Sequence, residues 1–109
     1  MLKVELEKLL EELGINVSEG IQNDNATNSF PRLVYWEYLW TPLTSSGKEH
    51  NTKVTYQVSI FYQIPREEKL LKLKNKLNEL GIYPEIQHEY IQEGKYFHSF
   101  FAIEVLENV

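Results

Sequence analysis

Between Val54 and Ile64 the chain alternates without a break. Val54, Tyr56, Val58, Ile60, Tyr62 and Ile64 fall on one side, and Thr55, Gln57, Ser59, Phe61 and Gln63 on the other. A period of two belongs to a strand with one apolar and one largely polar face, and that apolar face needs a cover. Covers are encoded on both sides of it. Upstream, Leu2, Leu6, Leu9, Leu10 and Leu13 recur at three- and four-residue steps, with Glu5, Glu7, Lys8, Glu11 and Glu12 filling the other faces and Gly14 at the stop. Downstream, Leu70, Leu73, Leu77 and Leu80 predict a second helix over Arg66 to Leu80, with Gly81 behind it. Pro65 precedes this helix, and Glu67 and Glu68 suit its positive end. Both helices close on "ELGI", at Glu12 to Ile15 and at Glu79 to Ile82, which two amphipathic helices with the same glycine stop explain more simply than a repeat.

The remaining segments supply three more strands. In "FPRLVYWEYLW", Phe30 to Trp40, Val34, Trp36, Tyr38 and Trp40 point one way, and Leu33, Tyr35, Glu37 and Leu39 the other. The C-terminal third reads as a hairpin about Glu93-Gly94, which sets Tyr90 opposite Phe97, His88 opposite Ser99, Glu89 opposite His98 and Ile91 opposite Tyr96. Residues 41–53 are polar and predict a long loop; residues 17–29 predict a loop or a weak edge strand. The expected fold is α+β, a single domain over 1–109. It has a four-stranded, mainly antiparallel sheet with two helices on one face, in the order α-β-β-α-β-β.

Composition narrows the function. The 109 residues include no cysteine, which excludes disulfides, thiolate chemistry and cysteine-ligated metals. The first residues carry four glutamates among their leucines, unlike a signal peptide, and no run approaches the ~20 apolar residues that span a bilayer. A net charge of −5 argues against diffuse attraction to nucleic acid or anionic membrane. No phosphate-cradling glycine loop, nucleophile elbow or HExxH is present, so neither catalytic nor metal residues nor a cofactor are expected, and the chain is read as a non-enzyme. His88 and His98 fall on opposite faces of the hairpin, Glu89 and His98 form a candidate cross-strand pair, and His50 lies in the polar loop. Lys69, Lys72 and Lys76 read as a solvated helix face.

The aromatic run is the feature left over. Two helices on one face leave the other face uncovered, and Leu33, Tyr35, Leu39, Phe61, Tyr96 and Phe100 would line it while Trp36 and Trp40 pack under a helix. Large aromatics bury ~150–250 Å² each, so such a patch reaches the size that marks a contact surface. Tyr35, Leu39, Phe61, Tyr96, Phe100, Trp36 and Trp40 are therefore the candidate interface. The alternative is a small-ligand binding or regulatory domain whose aromatics line a pocket.

The phrases themselves resemble a family. "FPRLVYWEY", then "YQVSIFYQ", then "LNELGI" and the hairpin ending "GKYFHSFFAIEV" are similar to the pattern of tail-completion, tail terminator-like proteins of long-tailed bacteriophages and prophages. The matching positions are Phe30, Pro31, Tyr35 and Glu37; Tyr56, Gln57, Val58 and Ile60; Gly81; and Tyr96 with His98. Tyr62-Gln63 replaces the family's more usual polar–basic ending, and Phe97 stands between Tyr96 and His98. The resemblance implies a structural virion assembly protein that caps the tail tube at the head–tail junction as a homo-oligomeric ring, commonly a hexamer. Its implied partners are itself, the tail-tube protein and a head-completion or connector protein. It implies residence in the virion, and in the host cytoplasm before assembly.

Overall fold

The computed structural model describes residues 1–20, 29–43 and 51–109. In chain order the elements are α1 (Lys3–Glu11), β1 (Asn16–Glu19), β2 (Arg32–Pro42), β3 (Thr52–Tyr62), α2 (Glu68–Glu79), β4 (Gln87–Ile91) and β5 (Tyr96–Glu107). The strands form one five-stranded sheet in the order β1-β2-β3-β5-β4. β1 runs parallel to β2, and the other neighbours are antiparallel.

This overturns the expected four-stranded antiparallel sheet with order α-β-β-α-β-β. The sheet is mixed and the order is α-β-β-β-α-β-β. The added strand is "NVSE", too short and polar to show a period of its own. Its Val17 pairs with Leu33 and packs against the edge of the core, which is what holds the segment in the ladder. The sheet also claims both ends of the 41–53 segment, since Thr41 and Pro42 pair with Lys53 and Thr52.

The helix ends follow local chemistry. The Glu5 carboxylate accepts the Leu2 backbone N–H at 2.8 Å, satisfying a donor that the first turn of α1 leaves open. Glu67 does the same for the Lys69 N–H at 3.2 Å on α2. At the far end of α2, Gly81 has φ of 78°, which lets the Ile82 N–H reach back to the Leu77 carbonyl at 2.9 Å. Lys72 and Lys76 turn to Glu12 just past α1, at 3.0 Å to its carbonyl and 2.7 Å to its carboxylate. They tie the two helices together and place cations at a helix C-terminus, where the macrodipole favours them. Lys76 holds the Glu12 carboxyl below the usual carboxylate range.

Both leucine stripes enter one core. Leu6, Leu9, Leu10 and Leu13 meet Leu70, Leu73 and Leu77 above Leu33, Tyr35, Val54, Tyr56, Val58, Ile60, Phe101, Ile103 and Val105. Those strand residues are cross-strand partners, so they share a single sheet face and both helices lie on it.

Candidate functional site

The parity of β2 decides what the opposite face displays. Leu33 pairs with Ile60 and Tyr35 with Val58, so these two point under the helices, where Leu33 is fully buried and Tyr35 is 6% exposed. Tyr35 and Leu33 are thus core residues, which corrects their assignment to the open face. Val34 and Trp36 take the open face instead, and Trp36, expected beneath a helix, is half-buried there. The reason is register: both parities of this strand are apolar, so the choice fell to the partner strand, whose buried face is unambiguous.

At Glu37 the register slips. Glu37 pairs with Tyr56 and Leu39 with Thr55, leaving Tyr38 as the extra residue of a bulge. Beyond it the parity is reversed. Leu39 joins the open face, while Trp40 pairs with Val54 on the helix side without packing into the core. Tyr38 lines a hollow with Gln57, Phe100 and Ala102 of the open face. The outcome is a run in which Tyr38, Leu39 and Trp40 are 55%, 51% and 54% exposed.

The proximal half of the open face is a stack of rings. Phe61 and Tyr96 meet edge-on at 5.8 Å, and Phe30 tilts against Tyr96 at 5.4 Å. On the same face the small Ser59, between Val34 and Phe100 in the ladder, is fully buried. Arg32, a residue the sequence reading passed over, is also buried, with its guanidinium 4.5 Å from the Phe30 ring centroid and 4.7 Å from that of Phe61. It donates to the Ser29 carbonyl at 3.2 Å. Burial lowers its pKa, offset in part by the Tyr96 hydroxyl. A signal did exist: a lone arginine with aromatic neighbours at Phe30 and, across the ladder, Phe61. The Glu89 carboxylate and His98 Nδ1 lie 2.9 Å apart across the β4–β5 ladder, while His88 sits on the opposite face beside Ser99.

At the β1 edge a polar cluster pins α1 to the sheet. The Tyr35 hydroxyl donates to Glu19 at 3.4 Å and the Tyr56 hydroxyl to Glu107 at 2.6 Å. Burial, with Glu19 beside it, pushes the Tyr35 phenol up to about 12, and burial with Glu107 raises Tyr56 as well. Burial alone would lower Lys3, yet its contacts with Tyr56 and Glu19 hold it above an ordinary lysine.

Among the described residues no group of three or more histidine, aspartate or glutamate side chains comes together as a metal would require, and no helix is long and apolar enough to cross a membrane. His50 lies outside the described residues, as do 21–28 and 44–50 within the expected loops. The fold and surface together define a small sheet-and-helix domain with an aromatic open face and a projecting aromatic run. No protein family model matches the chain, and no curated protein sequence matches it.

Proposed function

We propose that this chain is a structural assembly subunit that caps or completes a phage tail tube at the head–tail junction through ring-type self-association. The observation that carries this reading is the Tyr38–Leu39–Trp40 run, three consecutive large apolar side chains each more than half exposed on a paired strand. The resemblance of its phrases to those of tail-completion proteins supports this kind of assembly.

Magnitudes say what the surface can do. Covering the exposed parts of these three side chains removes on the order of 100 Å² each from water, worth roughly 2–3 kcal/mol apiece. Association costs an estimated ~4–15 kcal/mol in lost translation and rotation. The run alone therefore barely holds two copies together. Adding Trp36, Phe61 and Phe100 from the open face that Leu39 joins, or closing a ring in which each copy makes two contacts, shifts the balance to assembly.

The test is sedimentation of the purified protein with and without tail-tube protein, together with electron microscopy of particles made without it. The expected results are a ring, free or on tube ends, and overlong or unjoined tails. A chain that stays monomeric and ignores tube ends, with normal tails in its absence, overturns the reading.

A further inference from the structure

On the helix side of the sheet, a cavity of about 640 Å³ opens between α2 and the β4–β5 hairpin. Its walls are apolar, with Leu70, Leu71, Pro84, Ile86 and Phe97 prominent. Among the described residues the charged side chains lining it are Arg66 and Lys74, with no carboxylate beside them. Neither makes an ion pair among the described residues. Arg66 has φ of 56°, the left-handed region that a residue with a side chain seldom adopts and that recurs where a position serves a ligand.

The cavity also has a built polar element. The Tyr62 hydroxyl and Ser99 Oγ are 2.7 Å apart, and Ser99 Oγ and His88 Nδ1 are 2.6 Å apart. Ser99 is fully buried and Tyr62 nearly so, whereas the His88 ring is exposed. If Tyr62 did not donate to Ser99, its buried hydroxyl proton would have no acceptor, which is costly. The chain therefore runs Tyr62 to Ser99 to Nδ1, and a neutral His88 carries its proton on Nε2. Ser99, with both bonds engaged and no exposure, is a bridge and not a nucleophile. Its effect is to fix an outward N–H donor on a residue that lines the cavity beside two cations.

A volume of this size suits a small molecule. Apolar walls reject a bare inorganic anion, and a neutral hydrocarbon has no use for two unpaired cations and a fixed donor. We propose that the groove binds a small amphipathic carboxylate, an aliphatic or aromatic acid. Its hydrocarbon body lies on Leu70, Ile86 and Phe97, and its head group is taken up by Arg66, Lys74 and the His88 Nε2–H. The site lies on the opposite side of the sheet from the aromatic open face and does not depend on self-association.

The test uses octanoate and the neutral 1-octanol as probes, titrated into the ¹⁵N-labelled full chain. Octanoate is expected to shift the Leu70, Ile86 and Phe97 amides saturably and to bind more tightly than 1-octanol. The R66Q/K74Q double variant, whose changed side chains are both exposed, is expected to keep its melting temperature and its 1-octanol binding. Its octanoate affinity should fall by about tenfold, the loss expected for a charge-assisted contact. Equal affinity for the two probes, unchanged octanoate affinity in the variant, shifts confined to the Phe61–Phe100 face, or no saturable shift at millimolar octanoate would each overturn the proposal.

Discussion

His98 lies flat against Phe61, with ring centroids 4.6 Å apart and planes 10° from parallel, directly across the β3–β5 ladder. Phe100 stacks against it as well, at 4.8 Å. The imidazole is thereby held by two stacked rings; among the described residues its buried Nε2 has no hydrogen-bond partner, and Nδ1 reaches the Glu89 carboxylate. Packing, more than the contact with Glu89, fixes this residue.

The two contributions separate by substitution. His98→Ala removes both ring contacts, at ~0.5–1.5 kcal/mol each beyond area burial, so the loss should be at least about 1–3 kcal/mol. Glu89→Gln removes a partner whose side chain is half exposed and should cost under about 1 kcal/mol. Urea unfolding of the two variants checks the order.

The face assignment of β2 is open to the same measurement. Leu33→Ala should cost about 2–5 kcal/mol, the range for emptying a packed leucine site. Leu39→Ala, half exposed past the bulge, should stay within about 0.5 kcal/mol. Comparable losses at both positions would mean that the parity described here is wrong.

Alkaline stability depends on buried phenols. Tyr35 ionises at about 12 in the folded chain, above the ordinary 10.0, so between those values the unfolded state releases its proton while the folded state keeps it. The stabilisation is complete below pH ~10 and disappears as pH rises towards ~12. Melting temperature followed from pH 9 to 12 should fall for the native chain and fall less for Tyr35→Phe, which has no proton to lose.

Ser99 serves two neighbours at once. Ser99→Ala should cost about 1–3 kcal/mol, because it orphans the buried Tyr62 hydroxyl. Adding Tyr62→Phe removes the orphan, so the double variant should be destabilised by less than the sum of the singles. A double-mutant cycle in urea measures the difference.

The exposed run governs self-association in the proposed role. Replacing Leu39 and Trp40 together by glutamate should abolish assembly in sedimentation velocity, with or without tube ends, while the melting temperature changes little. Assembly that survives this change would assign the contact elsewhere.

Much of the fold was legible because it rests on strong periodicity. The leucine stripes fixed both helices, and the two-residue turn fixed the β4–β5 register, down to Glu89 opposite His98. What escaped had tertiary causes. β1 offers a single apolar residue, Val17, and exists because β2 presents a free edge to it. β2 is apolar on both parities, so size pointed to Trp36 and Trp40 as core, whereas Ile60 and Val58 across the ladder selected Leu33 and Tyr35. No local pattern announces a bulge at Tyr38, and without it Trp40 cannot be placed. Phe61, Tyr96 and Phe100 could be assigned to the open face from spacing alone, whereas Leu39 reaches it only because the bulge reverses the parity it would share with Leu33 and Tyr35. The burial of Arg32 could not be read, because it depends on rings brought together from two strands and a loop.

The slip at Tyr38 has a kinetic and entropic side. Past it, the backbone of β2 stays clamped to β3 as far as Pro42 opposite Thr52, so the outward rings ride on a stiff rod and not on a pliant tip. A docking molecule meets a template whose shape was settled when the chain folded, and little freedom is surrendered at the encounter.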